Sequence, residues 1–278
     1  MAKRICIIAD STADLPAELA QTYGISVVPI YVRFGENVYR DGVDLSPGQF
    51  YEKLRDNRVI PSTSQPSPED FFKVYSEEAN NSTGIISIHI SSKISGTYNS
   101  ALLAKRLLSN NFPIEVIDST FNSAGLALTV LTAAKSARKG KDMQSITSDI
   151  LKAISEIKMF GMFSTTKYLA RSGRVNKAIA VAGSILNVKP LMTFHDGEVV
   201  RAGLVRTVPQ GINRILRFIE SRKPISELMI VHSEIPEQAD QLKTMASRYI
   251  PSDLIIVSQL GAALGVHGGP GVLLVAVR

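Results

Sequence analysis

Tryptophan is absent from the 278 residues, cysteine occurs once and histidine four times. A lone thiol, Cys6, excludes an intramolecular disulfide and any cysteine-rich zinc site, and it fits a reducing cytoplasm. Set in the apolar run Arg4-Ile-Cys-Ile-Ile-Ala9, it reads as a buried structural thiol. His89, His195, His232 and His267 are scattered, with neither H-E-x-x-H nor facial-triad spacing, so a catalytic metal is not expected. No apolar run approaches the length of a membrane span. Met1-Ala-Lys-Arg4 leads into a strand rather than into the apolar core of a signal peptide. The expectation is a cytoplasmic chain without an integral membrane segment.

Two catalytic signatures are also missing. No G-x-x-x-x-G-K-[ST] phosphate loop occurs, which assigns any nucleotide chemistry to another protein. Lys93 stands where a G-x-S-x-G nucleophile elbow around Ser95 needs its first glycine. The formal charge is +6, but Lys and Arg are dispersed and no nucleic-acid module signature is present, so nucleic acid is not an expected partner.

What is present is an alternation of apolar strands and helical segments. Ile85 to Ile90 is a β-branched run of the kind buried in a parallel sheet, and Ala101 to Leu108 has helical spacing. Between them, Ser91, Ser92, Ser95, Gly96 and Thr97 form a hydroxyl-rich turn. Ser95 is a natural N-cap there, and the helix start favours an anion. Alone, such a turn is an ordinary cap. The pattern recurs, however, at Asp10 to Asp14, where Asp14 is the expected cap of a helix over Ala17 to Tyr23.

Further along, Ile25 to Phe34 reads as one strand region and Val38 to Val43 as its return. Pro61 to Pro68 is a rigid polar connection, with Ser67 capping the next helix and Pro68 at its first position. Ile114 to Ser119 repeats the strand ending in Asp-Ser. Helices are expected from about Ser123 to Lys139 and Asp142 to Ile157. Beyond Met159 come a strand over Phe160 to Thr165, a basic turn over Tyr168 to Val175, and an apolar helix over Ala178 to Leu186. A hairpin follows around His195-Asp-Gly197, and a glycine-rich loop from Gly261 to Gly271 carries His267. These signals predict an α/β fold: a doubly wound, mostly parallel sheet domain over residues 1–158, then an α+β domain over 159–278.

Five polar turns therefore gather at strand ends: Asp10 to Asp14, Thr63 to Ser67, Ser91 to Thr97, Asp118 to Ser123, and the loop with His267. A crevice lined by Thr63, Ser95 and His267, backed by apolar helices, is the usual form of a small-molecule site with an anionic head group. The residues alone leave other readings open. One is a hydrolase with Ser95 as nucleophile, His267 as base and Asp10 or Asp118 as orienter, although no oxyanion loop is recognisable. A weaker one is a sugar- or nucleotide-phosphate binder. His89, His195 and His232 carry no functional signal of their own, whereas His267 lies among Gly265, Gly268, Gly269 and Gly271, a setting built for close backbone approach.

In order along nearly the whole chain, several stretches resemble the DegV family, fatty-acid-binding proteins that include the binding subunits of bacterial fatty acid kinases. They are Asp10-Ser-Thr-Ala-Asp-Leu-Pro16, Thr63-Ser-Gln-Pro-Ser67, Ser91-Ser-Lys-Ile-Ser-Gly-Thr-Tyr-Asn-Ser-Ala101 and Val116-Ile-Asp-Ser119. Tyr168-Leu-Ala-Arg-Ser-Gly-Arg174, Lys189-Pro-Leu191 and His267-Gly-Gly-Pro-Gly271 complete the set. The resemblance implies a non-catalytic protein without a cofactor, whose ligand is a long-chain fatty acid such as palmitate held between or within two domains. It places the carboxylate on Thr63 and Ser95, with His267 in the same network and Gly96, Thr97 and Gly268 around them. Arg171, Arg174, Arg201 and Arg206 match basic positions near the head group and the surface for a separate fatty acid kinase. Ser172 and Gly268 depart from the family pattern, where a glycine and a threonine are common. Burying ~14 methylenes at ~0.8 kcal/mol each yields roughly 11 kcal/mol before ordering costs, enough to leave the head group needing only satisfied hydrogen bonds.

Overall fold

The computed structural model describes residues 4–56, 59–108, 112–174 and 188–278. Strands β1 (Arg4–Asp10), β2 (Ile25–Val28), β6 (Ser82–His89) and β7 (Ile114–Asp118) form a parallel sheet in the order β2-β1-β6-β7. Strands β3 (Tyr31–Phe34), β4 (Asn37–Arg40) and β5 (Ser62–Ser64) form a small antiparallel sheet in the order β4-β3-β5. The second half builds a mixed sheet, ordered β10-β9-β8-β13-β11-β12, from β8 (Lys158–Met162), β9 (Lys189–His195), β10 (Glu198–Val205), β11 (Leu228–His232), β12 (Ile255–Gln259) and β13 (Leu273–Val277). The expected α/β class and the parallel sheet are both present.

Helices cover both faces of the parallel sheet, as its unbroken apolar strands require. The Pro68–Ala79 and Thr97–Leu107 helices bury Phe71, Tyr75, Ala101 and Ala104 against Ile8 and Ile85 on one face. On the other lies the Ser123–Arg138 helix, which packs against β1 and β6 and also against β8, β11 and β13 of the mixed sheet. A helix sandwiched in this way must be apolar all round. Its run Ala-Gly-Leu-Ala-Leu-Thr-Val-Leu meets that need, and the Thr129 and Thr132 hydroxyls donate back to Gly125 O and Leu128 O at 2.8 Å. Close approach fixes Gly125: a Cβ there would stand 2.5 Å from Met159 Sδ and 2.8 Å from Phe121 Cβ. One continuous core thus joins Ile7, Ile88 and Leu128 to Met229, Val231 and Val272.

Several local expectations are corrected. The Ile25–Phe34 region divides at Pro29, so β2 and β3 enter different sheets. Residues 62–64 are not merely a connection, because Thr63 pairs with Val32. The Ser67 cap is present as a full capping box with Asp70. Asp14 does not cap the Ala17–Tyr23 helix; its side chain turns inward to Ser123 Oγ and the Gly261 N–H. Gly96, not Ser95, occupies the cap of the Thr97–Leu107 helix, and the Ser95 hydroxyl instead accepts from the Thr97 N–H at 3.3 Å.

The expected basic turn is the Lys167–Ser172 helix, closed by Gly173 in the left-handed region. Most of the glycine-rich loop is also helical, over Ala262–Gly268, because Gly261 and Gly269 terminate it and leave a continuous Ala-Ala-Leu-Gly-Val stretch between them. The apolar helix expected over Ala178 to Leu186 lies outside the described residues. Among the described residues, no helix is long and apolar enough to cross a membrane.

Candidate functional site

A cavity of about 400 Å³ lies where the ends of the parallel sheet meet the mixed sheet. This is within the ~300–1,000 Å³ of ordinary small-molecule pockets. Ile90, Phe163, Leu169, Met192, Phe194 and Leu264 give it apolar walls. Phe194 is held by a tilted contact with Phe121 at 5.7 Å between ring centroids. The β9–β10 hairpin is fixed over the first half of the chain by its tip, where Ser91 Oγ donates to Gly197 O at 2.7 Å.

Polar groups enter at particular points. Thr63, at the middle of β5, places Oγ1 2.9 Å from Nε2 of His267 in the last turn of the Ala262–Gly268 helix. Burial, aided by the positive charge of Arg174, pushes the His267 imidazole down to about 4, so it is neutral at ordinary pH. Its Nδ1 is buried with no hydrogen-bond partner among the described residues. The arrangement that leaves a bare lone pair on Nδ1, rather than an orphaned N–H, has Nε2–H donating to Thr63 Oγ1. That frees the Thr63 hydroxyl proton for a ligand. Ser95 Oγ lies 2.8 Å from Thr97 Oγ1, so a donor bond from Thr97 likewise leaves the Ser95 proton free.

Of the residues singled out in the sequence, Thr63, Ser95, Gly96, His267, Gly268 and Arg174 all line the cavity. Thr97 is fully buried behind Ser95 and acts through it. Arg171 lies just outside, in a vestibule that Lys167, Arg174, Thr63 and His267 also line. Arg201 is exposed on β10, and Arg206 lines a separate groove with Arg214 and Arg217; neither reaches the cavity.

Gln65 was visible only as part of a motif. Its side chain covers Gly96 so closely that a Cβ there would stand 2.0 Å from Gln65 Oε1, and its Nε2 donates to Ser100 Oγ at 3.0 Å. Lys167, Met192 and Phe194 carried no sequence signal, since their roles arise from long-range packing.

The hydrolase geometry is not assembled. His267 engages Thr63 rather than Ser95, and its other nitrogen has no carboxylate partner among the described residues. Asp10 accepts from the Ile90 N–H at 2.9 Å and lies 3.1 Å from His89 Nδ1. From there a buried chain continues through Ser87 to Tyr75, at 2.7 and 2.9 Å, making His89 a satisfied core residue. Asp118 accepts from the backbone N–H groups of Ser92 and Thr120 at 3.2 and 2.8 Å.

Known proteins share this architecture along its length. The structure of a fatty-acid-binding DegV family protein from Thermus thermophilus superposes with a TM-score of 0.91, at 31% identity over 99% of each chain. Bacillus subtilis DegV, a fatty acid binding protein, superposes with a TM-score of 0.88 at 28% identity, again over 99% of each chain. A DegV domain-containing protein of Caldanaerobacter subterraneus is 34% identical over 96% of both sequences. The profile of the uncharacterised DegV family proteins matches residues 4–278, the stretch that carries all three sheets and the cavity, and the chain belongs to that family.

Proposed function

We propose that this protein binds a long-chain fatty acid, with the acyl chain in the 400 Å³ cavity and the carboxylate at Thr63, Ser95 and His267. The observation that carries the reading is the Thr63–His267 pair at 2.9 Å, set at the edge of a mainly apolar chamber. A carboxylate buried without partners would cost several kcal/mol. Two hydroxyl donors, one polarised by a neutral imidazole, offset that cost, while the Arg174 side chain at the edge of the cavity donates to the backbone carbonyl of Ser172. The walls offer the acyl chain ~0.8 kcal/mol per methylene buried. The solved relatives bind fatty acids, which supports the same ligand class here.

The role is carriage and presentation rather than turnover. The unassembled Ser95–His267–Asp geometry supports this, as does the lack of a nucleotide-phosphate loop. A carboxylate held only by neutral donors keeps its nucleophilicity toward a phosphoryl group. The vestibule of Lys167, Arg171 and Arg174 leads from that carboxylate to the surface and is the route by which a separate fatty acid kinase would reach it. Calorimetric titration of delipidated protein with palmitate and with hexadecanol tests the reading. Binding of the acid, with the alcohol weakened at least about tenfold (~1.4 kcal/mol), is expected. Equal affinities would contradict the carboxylate assignment, and no binding of either would contradict the function.

A further inference from the structure

His267 is only as well placed as the helix that carries it. The Ala262–Gly268 helix is seven residues long and has no side-chain cap of its own. That is far below the ~12–15 residues at which isolated helices begin to persist. Its inner face supplies Ala263, Leu264, His267 and Gly268 to the cavity, so any axial slip or rotation moves the wall and the imidazole together.

Groups from the first half of the chain hold this helix. The Gly261 N–H donates to Asp14 Oδ1 at 2.8 Å, and the next N–H, of Ala262, donates to Asp41 Oδ1 at 3.0 Å. Both carboxyl groups are buried, at 6% and 4% exposure. Each is fixed in turn by a serine: Ser123 Oγ donates to Asp14 Oδ2 at 2.5 Å, and Ser11 Oγ to Asp41 Oδ2 at 2.8 Å. Midway along the helix Gly265 seats on Phe50 and Tyr51, where a Cβ would stand 2.5 Å from Phe50 Cε1. Packing of this kind fixes the helix against its support but permits sliding. Acceptors on the N–H groups of the cap residue and of the first helical residue hold the helix start at two separate points, which fixes both its height and its rotation.

We propose that Asp14 and Asp41 are positioning residues of the ligand site, clamping the start of the Ala262–Gly268 helix so that His267 at its end stays in hydrogen-bond reach of Thr63. The inference deepens the fatty-acid reading and rests on it for its effect on affinity. The geometric part, the placement of His267, stands in the ligand-free protein. Because hydrogen bonds weaken steeply beyond ~3.2 Å, a displacement of well under a helical turn is enough to separate Thr63 from the imidazole. Ser123 adds a second link, since it holds Asp14 and also lines the cavity.

The test compares Asp14→Ala, Asp41→Ala, Asp14→Asn and Asp41→Asn in the full chain. Three quantities are measured: imidazole nitrogen NMR spectra of the ligand-free protein (with His267 assigned by its loss in His267→Gln), palmitate affinity and melting temperature. The alanine variants are expected to shift the His267 Nε2 resonance and weaken palmitate at least about tenfold. The asparagine variants, which keep an acceptor for the helix N–H groups, are expected to restore both to within about threefold of the parent. A lower melting temperature with the His267 resonance and affinity unchanged would overturn the proposal and reduce both residues to structural roles. Should an alanine variant fail to fold, Ser11→Ala, which frees the Asp41 carboxylate, is read in its place, and an unmoved resonance there overturns the proposal equally. If the parent itself binds no palmitate, the functional reading fails, and the ligand-free spectra still decide the positioning.

Discussion

Thr63 Oγ1 and His267 Nε2 lie 2.9 Å apart across 204 residues of sequence, joining a short strand of the first half to the last helix of the chain. The pair works as a unit, with the imidazole orienting the hydroxyl. Thr63→Val keeps the shape and removes the donor, so it is expected to weaken palmitate by about 1–3 kcal/mol, roughly 5- to 150-fold, and to lower the melting temperature because the buried His267 N–H loses its acceptor. Calorimetry on the delipidated variant measures this, and unaltered affinity would exclude Thr63 as an anchor.

The imidazole is expected to stay neutral throughout the physiological range. Its folded value, about 4, lies below the ordinary 6.5 because the ring is buried and faces Arg174. The stabilisation associated with neutral His267 is therefore present above about 6.5 and is lost as pH falls through about 4. The His267 resonances of the ligand-free protein should keep their neutral positions from pH 8 down to pH 5. A titration step centred near 6.5 would contradict the buried, uncharged state.

Asp14 and Asp41 titrate in the opposite sense. Burial pushes Asp14 up to about 8 and Asp41 up to about 6, from an ordinary 3.8. Above an ordinary value of about 4 the folded chain binds more protons than the unfolded chain, so stability falls as pH rises, up to about 8 for Asp14 and up to about 6 for Asp41, by at most ~1.4 kcal/mol per pH unit for each group. Asp14→Asn removes its share, and urea unfolding at pH 5 and pH 8 should show a smaller loss in the variant than in the parent. Equal losses would show that Asp14 does not hold its proton in the fold.

The sandwiched helix gives a prediction about packing. Gly125→Ala gains about 1 kcal/mol of helix propensity but places a methyl 2.8 Å from Phe121 Cβ, which cannot swing aside as the Met159 sulfur can. Overpacking of this kind costs ~1–3 kcal/mol, so a net loss of up to about 2 kcal/mol is expected in urea unfolding. Net stabilisation would mean that the two sheets are free to separate around this helix.

The sequence was legible wherever local chemistry decides the outcome. The β-branched run of β6, the Ser67 cap and the Asp196-Gly197 turn each act through neighbours in the chain, and each is found in place. The polar turns that assemble the cavity were legible too, because strand ends in a doubly wound sheet converge on one edge.

What escaped was long-range. Asp14 looks like a local cap, since nothing near it in sequence announces that Gly261 will offer a better-placed N–H. Ser95 is passed over as a cap because Gly96 turns the chain under the Gln65 amide. The family resemblance puts Arg201 and Arg206 near the head group, yet β10, which carries Arg201 and ends just before Arg206, leaves both outside the cavity lining.

The most direct test of the account is mass spectrometry of an organic extract of freshly purified protein, run beside Thr63→Ala and Ser95→Ala. The account predicts close to one long-chain fatty acid per parent chain, sharply depleted in both variants that remain folded. An extract free of fatty acid from the parent, confirmed by failure to take up added palmitate, would contradict it.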